Sequence, residues 1–214
     1  MPASSAVALR MSNTWIWISG WGICPDRFKA AAESALPNYQ HEVLPPTPGA
    51  FEAVLRSGAS RIGGYSLGSL ILLSELSRIP DDIEIMCLAP FTAFCEEIGL
   101  GGTTPVASLR MLQKRLESQP EKAIKLFYRL AGLPDEPTDQ LPYPVEDLTW
   151  GLEQLADVQV DTTLLCRAKG YVGLTDSLVR GTLLQSQWAN CDLIENCSHS
   201  YNELFASLPL IETS

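Results

Sequence analysis

The chain has 214 residues, 46% of them hydrophobic, with 15 Lys and Arg against 25 Asp and Glu and a formal net charge of -10. That is enough apolar material for one sizeable core, which excludes a disordered tail or a small disulfide scaffold. The acidic excess disfavours a general nucleic-acid binder, because affinity for a phosphate backbone comes from Lys and Arg.

No window reaches the roughly 20 apolar residues needed to cross a bilayer, and the opening MPASSAVALRMSN has no apolar stretch of signal-peptide length, so a cytoplasmic protein without membrane association is expected. Six cysteines without a CxxC pair and only two histidines leave no usual metal centre, so neither a metal nor an organic cofactor is expected.

In chain order, residues 14–20 (TWIWISG) form an apolar run ending at glycine, which predicts a buried strand of a parallel sheet. The loop WGICPD leads to a helical pattern over 25–36, closed by Pro37 and Asn38. Residues 41–46 predict a second short strand and 49–57 a short helix. From 59 to 79 a short strand runs through a sharp turn straight into an apolar helix. Further strands are expected at 83–90, 160–168 and 191–196. This alternation predicts an open, mostly parallel α/β sheet with helices on both faces, a three-layer arrangement. Between Ala89 and Val160 about 70 residues carry helical patterns at 106–118, 120–131 and 145–155 and the proline-rich LPDEPTDQLPYP. That is too long for a simple crossover, so a helical cap inserted at roughly 91–150 of a single domain is expected, over the carboxyl ends of the strands.

The sharpest chemical signal is Gly64-Tyr65-Ser66-Leu67-Gly68, placed between a strand and a helix. A serine hydroxyl is a poor nucleophile unless it is thrust into a site beside a base, and flanking glycines permit the tight turn that does so. Ser66 is therefore the candidate nucleophile. The Leu67 N–H, at the start of the helix, is the expected first oxyanion donor. Gly20-Trp21-Gly22 follows the first strand, and the Trp21 N–H is the expected second donor; Trp21 as an aromatic wall is compatible with that role. The base must be His41 or His199. In the order serine, acid, histidine the base comes last, which selects His199 in NCSHSYNEL. Asp176, in GYVGLTDSLV, is the expected orienting acid; Asp161 and Asp192 belong to the wrong ends of their strands. A glycine-rich turn at 63–68 and an Asx-type turn at Asp176 are the bland alternatives.

The ordered set SGWG, GYSLG, GLTDSLV and CSHS resembles the α/β-hydrolase superfamily. Within it the chain is similar to the carboxylesterases that remove the methyl ester from pimeloyl-acyl-carrier protein in biotin synthesis, and the likeness spans nearly the whole chain. The resemblance implies an α/β-hydrolase fold with Trp21 at the oxyanion loop, Ser66 as nucleophile, Asp176 before the Leu178-Val179 pair as acid, and His199 as base. FTAF, RMLQKRLESQPEKAIKLFYRLAG and VEDLTWGLEQLADVQV resemble the cap and exit helix of such esterases. Two features depart from them. Ser19-Gly20 stands in place of the familiar His-Gly, as in a compact sister group that carries SGWG, and the strands usually preceding that loop are shortened or absent.

Residues 110–129 hold Arg110, Lys114, Arg115, Lys122, Lys125 and Arg129 against Glu117 and Glu121, a local charge of +4 beside -14 for the rest of the chain. Such a segment could dock an acidic acyl-carrier protein or its phosphopantetheine phosphate, or be an ordinary solvated helix face. Leu109, Leu112, Leu116, Ile124, Phe127 and Leu130 fall on the opposite faces, and Phe91, Phe94, Phe127 and Trp21 are candidates to line an acyl channel or simply to fill core. The sequence thus predicts a serine carboxylic-ester hydrolase acting on an acyl ester. A short-chain esterase or acyl thioesterase, and a silent hydrolase fold used for interaction, stand as alternatives, and the oligomeric state is open.

Overall fold

The computed structural model describes residues 11–133 and 140–208. The first ten residues, on which the expectation about a signal peptide falls, and residues 134–139, half of the proline-rich stretch, lie outside them. The order of elements is β1 (Met11–Ile18), α1 (Pro25–Ala35), β2 (Gln40–Leu44), α2 (Ala50–Ser57), β3 (Ala59–Tyr65), α3 (Leu67–Ser74), β4 (Glu84–Leu88), β5 (Ala93–Cys95) and β6 (Gly101–Thr104). There follow α4 (Val106–Ser118), α5 (Pro120–Leu130), α6 (Val145–Asp157), β7 (Lys169–Gly173), α7 (Gly181–Gln187), β8 (Cys191–Ile194) and α8 (Tyr201–Ala206).

Six strands make one sheet in the order β2-β1-β3-β4-β7-β8, every pair parallel. Parallel strands covered on both faces read as continuous apolar runs, which is why Trp15, Ile16, Trp17 and Ile18 are all buried. Trp17 pairs in register with Gly63 of β3. A Cβ on Gly63 would lie 2.1 Å from the Trp17 ring, so the extra glycine ahead of the GYSLG motif exists to seat an indole. That indole packs edge-on against Phe28 of α1 and Phe205 of α8, joining the sheet to the helical layer on that face.

One expected strand is corrected. Residues 162–167 form a 3-10 turn, and the strand comes later, at β7. The Asp161 side chain caps the turn by accepting from Thr163 N–H at 2.9 Å. Leu165 is the one buried residue of the turn, so the segment lacks the alternating or continuous burial of a sheet strand despite the β-branched Val160, Thr162 and Thr163. The small parallel pair β5 and β6 was not expected, since three- and four-residue runs such as AFC and GGTT are too short to show alternation. Between β4 and β7 lie the helices α4, α5 and α6, with the boundaries the hydrophobic spacing predicts to within two residues. No helix of the described residues is long and apolar enough to cross a membrane.

His41 is 3% exposed. Its Nδ1 lies 3.0 Å from Trp17 Nε1, which can only donate, and its Nε2 lies 3.0 Å from the Leu36 carbonyl, which can only accept. The neutral Nε2–H tautomer satisfies both, whereas a proton on Nδ1 would face the indole N–H. Burial accordingly lowers the His41 pKa, against an opposing pull from the Leu36 carbonyl and Glu33. A folded-state value below the unfolded one near 6.5 means the unfolded chain binds the extra proton, so stability falls as pH drops below about 6.5, by at most about 1.4 kcal/mol per pH unit. Urea unfolding between pH 7 and 5 should show this slope, and His41→Gln should flatten it.

Candidate active site

The candidate nucleophile stands where β3 gives way to α3. Ser66 sits between them with φ 52° and ψ -113°, a backbone region that a residue with a Cβ enters only under strain. Its N–H donates to Leu88 O at 2.9 Å and its carbonyl accepts from Leu70 N–H at 3.1 Å, so β4 and α3 together hold the strained geometry. The glycines around it are required by contact. A Cβ on Gly64 would lie 2.6 Å from the Gly68 carbonyl, and one on Gly68 would lie 2.0 Å from Ile18 O. The first turn of α3 is therefore pressed onto the end of β1.

Two loops bring the partners. His199 lies between β8 and α8, and its Nε2 is 3.0 Å from Ser66 Oγ. Asp176 lies between β7 and α7, and its Oδ2 is 2.7 Å from His199 Nδ1. Its other oxygen accepts the N–H groups of Leu178 at 2.8 Å and Val179 at 3.1 Å. An ionised carboxylate only accepts, so the hydrogen-bond pattern puts the imidazole proton on Nδ1 and leaves Nε2 to accept from the serine hydroxyl. The three residues are buried, with Ser66 4% and His199 1% exposed.

Each loop is tied down. A Cβ on Gly173, the last residue of β7, would lie 2.3 Å from Cys197 O, so the histidine loop rests on the strand end itself. Tyr65 Oη–H donates to the His199 carbonyl at 2.8 Å, and burial keeps that phenol protonated by pushing its pKa well up. The aspartate loop is stitched to β6: Thr103 N–H donates to Leu178 O at 3.1 Å, its Oγ1 to Ser177 O at 2.7 Å, and Arg180 N–H to Gly101 O at 2.7 Å. Tyr65 and β6 were missed in the sequence. Tyr65 occupies a variable place in the GxSxG pattern, and only its long-range contact marks it.

Trp21 and Leu67 meet under α6, where a Cβ on Gly151 would lie 2.7 Å from the Trp21 ring and 3.0 Å from the Leu67 side chain. Among the described residues neither backbone N–H donates to a protein acceptor. The remaining candidates separate cleanly. His41 lies across the sheet in β2, and Asp192 is engaged with Lys169 at 2.7 Å. Phe94 and Phe127 line an apolar pocket of about 410 Å³ between β6, α4 and α5, reaching Leu178 beside the aspartate. Phe91 and Trp21 do not line it; they stand behind, with ring centroids 5.0 Å from Phe94 and 4.9 Å from Phe127. Of the apolar set, Leu109, Leu112, Leu116, Ile124 and Phe127 are buried, while Leu130 is 55% exposed and, with Met111 at 69%, borders the pocket. Arg110, Lys114, Arg115, Lys122 and Arg129 are exposed on α4 and α5, and Lys125 is half-buried.

No protein-family model matches the sequence, and no curated protein matches it either. Solved structures do match in shape. A thermophilic esterase from Thermogutta terrifontis superposes with a TM-score of 0.60 at 11% identity, over 89% of this chain and 84% of that one. An alpha/beta hydrolase from Sphaerobacter thermophilus gives 0.54 at 13% identity, over 92% and 90%. The bottromycin epimerase BotH gives 0.60 at 12% identity, over 92% and 86%. At such identities the likeness is one of fold, and the presence of an epimerase beside an esterase leaves activity to be argued from the site.

Proposed function

We propose that this chain, whose sheet order and structural neighbours give it the α/β-hydrolase fold, is a serine carboxylesterase. The observation that carries the reading is the unbroken relay from Asp176 Oδ2 through His199 to Ser66 Oγ, at 2.7 and 3.0 Å, ending on a serine held in a strained turn. In the proposed reaction His199 Nε2 takes the Ser66 proton as Oγ attacks the ester carbonyl carbon. The oxyanion of the tetrahedral intermediate is held by the Leu67 and Trp21 N–H groups, each worth roughly 3 kcal/mol in the transition state. Collapse expels the alcohol, protonated by His199. A water, deprotonated by the same imidazole, then attacks the acyl-enzyme and releases the acid and the free serine.

Within that class we take the methyl ester of a pimeloyl-carrier conjugate as the substrate. The motif set SGWG, GYSLG, GLTDSLV and CSHS supports it, as do the apolar pocket beside the aspartate loop and the exposed cations of α4 and α5 facing an otherwise acidic chain. The test is kcat/KM for carrier-linked methyl esters, small methyl esters, aryl esters and thioesters, repeated with Lys122→Glu, Lys125→Glu and Arg129→Glu combined. The expected result is a preference for the carrier-linked methyl ester that falls about tenfold or more on charge reversal, with small esters unaffected. A thioester preference would move the chain to the thioesterases, and an unchanged carrier preference would reject the docking face.

A further inference from the structure

The 20–23 turn that carries the candidate oxyanion donor is held by its own backbone and by side chains from beyond β4. Ile23 N–H donates to Gly20 O at 3.2 Å, closing a turn over residues 20–23, and Gly22 at its third position has φ 71°. That is the type II arrangement, for which glycine is favoured at this place. Two phenols from the segment between β4 and β7 reach the turn. Tyr143 Oη accepts the Gly22 N–H at 2.6 Å and also lies 3.4 Å from Gly20 O, to which it donates. Tyr128 Oη–H donates to Gly22 O at 3.1 Å. Three successive peptide groups, 20–21, 21–22 and 22–23, are thus each bonded to a phenol.

The first of these peptide groups matters most. In a trans peptide the C=O and the following N–H point in opposite directions, so a bond that fixes Gly20 O also fixes the direction of Trp21 N–H. The side chain of Trp21 is anchored separately, by its Nε1–H to Leu148 O at 2.7 Å and by edge contact with Phe127. Both phenols are buried, Tyr143 at 8% and Tyr128 at 6% exposure, so their bonds are shielded from competing water. Burial pushes the Tyr143 phenol up, against the downward pull of the Gly22 N–H, and a neutral phenol can accept and donate at once.

We propose that Tyr143, with Tyr128 beside it, is a positioning residue for the reaction: its hydroxyl aims the Trp21 N–H, so that the helical insertion completes the oxyanion site rather than only covering it. The inference rests on the serine-esterase reading above.

The experiment compares wild type with Tyr143→Phe and Tyr128→Phe, which keep the rings and remove only the hydroxyls. It reads kcat and KM for p-nitrophenyl butyrate, and inhibition constants for a trifluoromethyl ketone, which forms an oxyanion on the serine, and for its methyl ketone counterpart. For Tyr143→Phe kcat should fall about 10- to 100-fold with KM within about threefold, and trifluoromethyl ketone binding should weaken by a matching factor while the methyl ketone is unaffected. Tyr128→Phe should do the same to a smaller degree, and it carries the test alone if Tyr143→Phe does not fold. Values within twofold of wild type, or equal losses for both ketones, would overturn the positioning role. Wild type that neither hydrolyses esters nor labels at Ser66 with a fluorophosphonate would instead overturn the esterase reading and the inference with it.

Discussion

Ser66→Ala is expected to lower kcat for a simple carboxylic ester by about 10⁶-fold, with the unfolding midpoint within about 3 °C of wild type. The size of the loss follows from the relay. With Oγ removed, His199 Nε2 has nothing to deprotonate at 3.0 Å, and Asp176 orients an imidazole with no nucleophile. Stability is expected to hold because alanine keeps the Cβ and the backbone bonds to Leu88 and Leu70 and gives up one side-chain hydrogen bond. Ester hydrolysis and circular-dichroism melting on the same preparation check both halves. Retained turnover would place the nucleophile elsewhere.

Asp176→Asn should cost about 10⁴-fold in kcat, and here the loss comes from a donor conflict. The carboxylate accepts on both oxygens: from His199 Nδ1 on one, and from Leu178 and Val179 N–H on the other. An asparagine can keep only one of these sides. If its carbonyl faces the histidine, its NH₂ meets two backbone donors; if it faces the loop, the NH₂ meets Nδ1 and forces the imidazole into the tautomer whose Nε2–H cannot accept from Ser66. The first orientation disturbs the loop and the second disables the base. KM should stay within about threefold, because the side chain is fully covered and touches no substrate surface. Steady-state kinetics on the purified variant read the result, and a kcat within tenfold of wild type would leave Asp176 a structural residue.

Much of this site was legible in the sequence, for a physical reason. A nucleophile elbow requires small residues at fixed places, and Gly64 and Gly68 are small because backbone atoms lie 2.6 and 2.0 Å from where a Cβ would stand. With two histidines in the chain, a base was nearly forced by elimination. The helices between β4 and β7 were legible from their apolar spacing, which Leu109, Leu112 and Leu116 show plainly. What the sequence did not reveal depends on partners distant along the chain. Nothing near Tyr143 announces that its hydroxyl meets Gly22, 121 residues away, nor near Tyr65 that it bonds the carbonyl of His199, 134 residues away. The strand expected at 160–168 failed through local composition, because Val and Thr favour strands wherever they stand, while the segment is capped by Asp161 as a turn and buries only Leu165.

The central claim is that Ser66 is the activated nucleophile of an ester hydrolase, and stoichiometric titration with a fluorophosphonate tests it most directly. One equivalent should abolish ester hydrolysis, and peptide mass mapping should find a single adduct on the fragment bearing Ser66, absent from Ser66→Ala. An adduct on another residue, or esterase activity that survives full modification of Ser66, would contradict it.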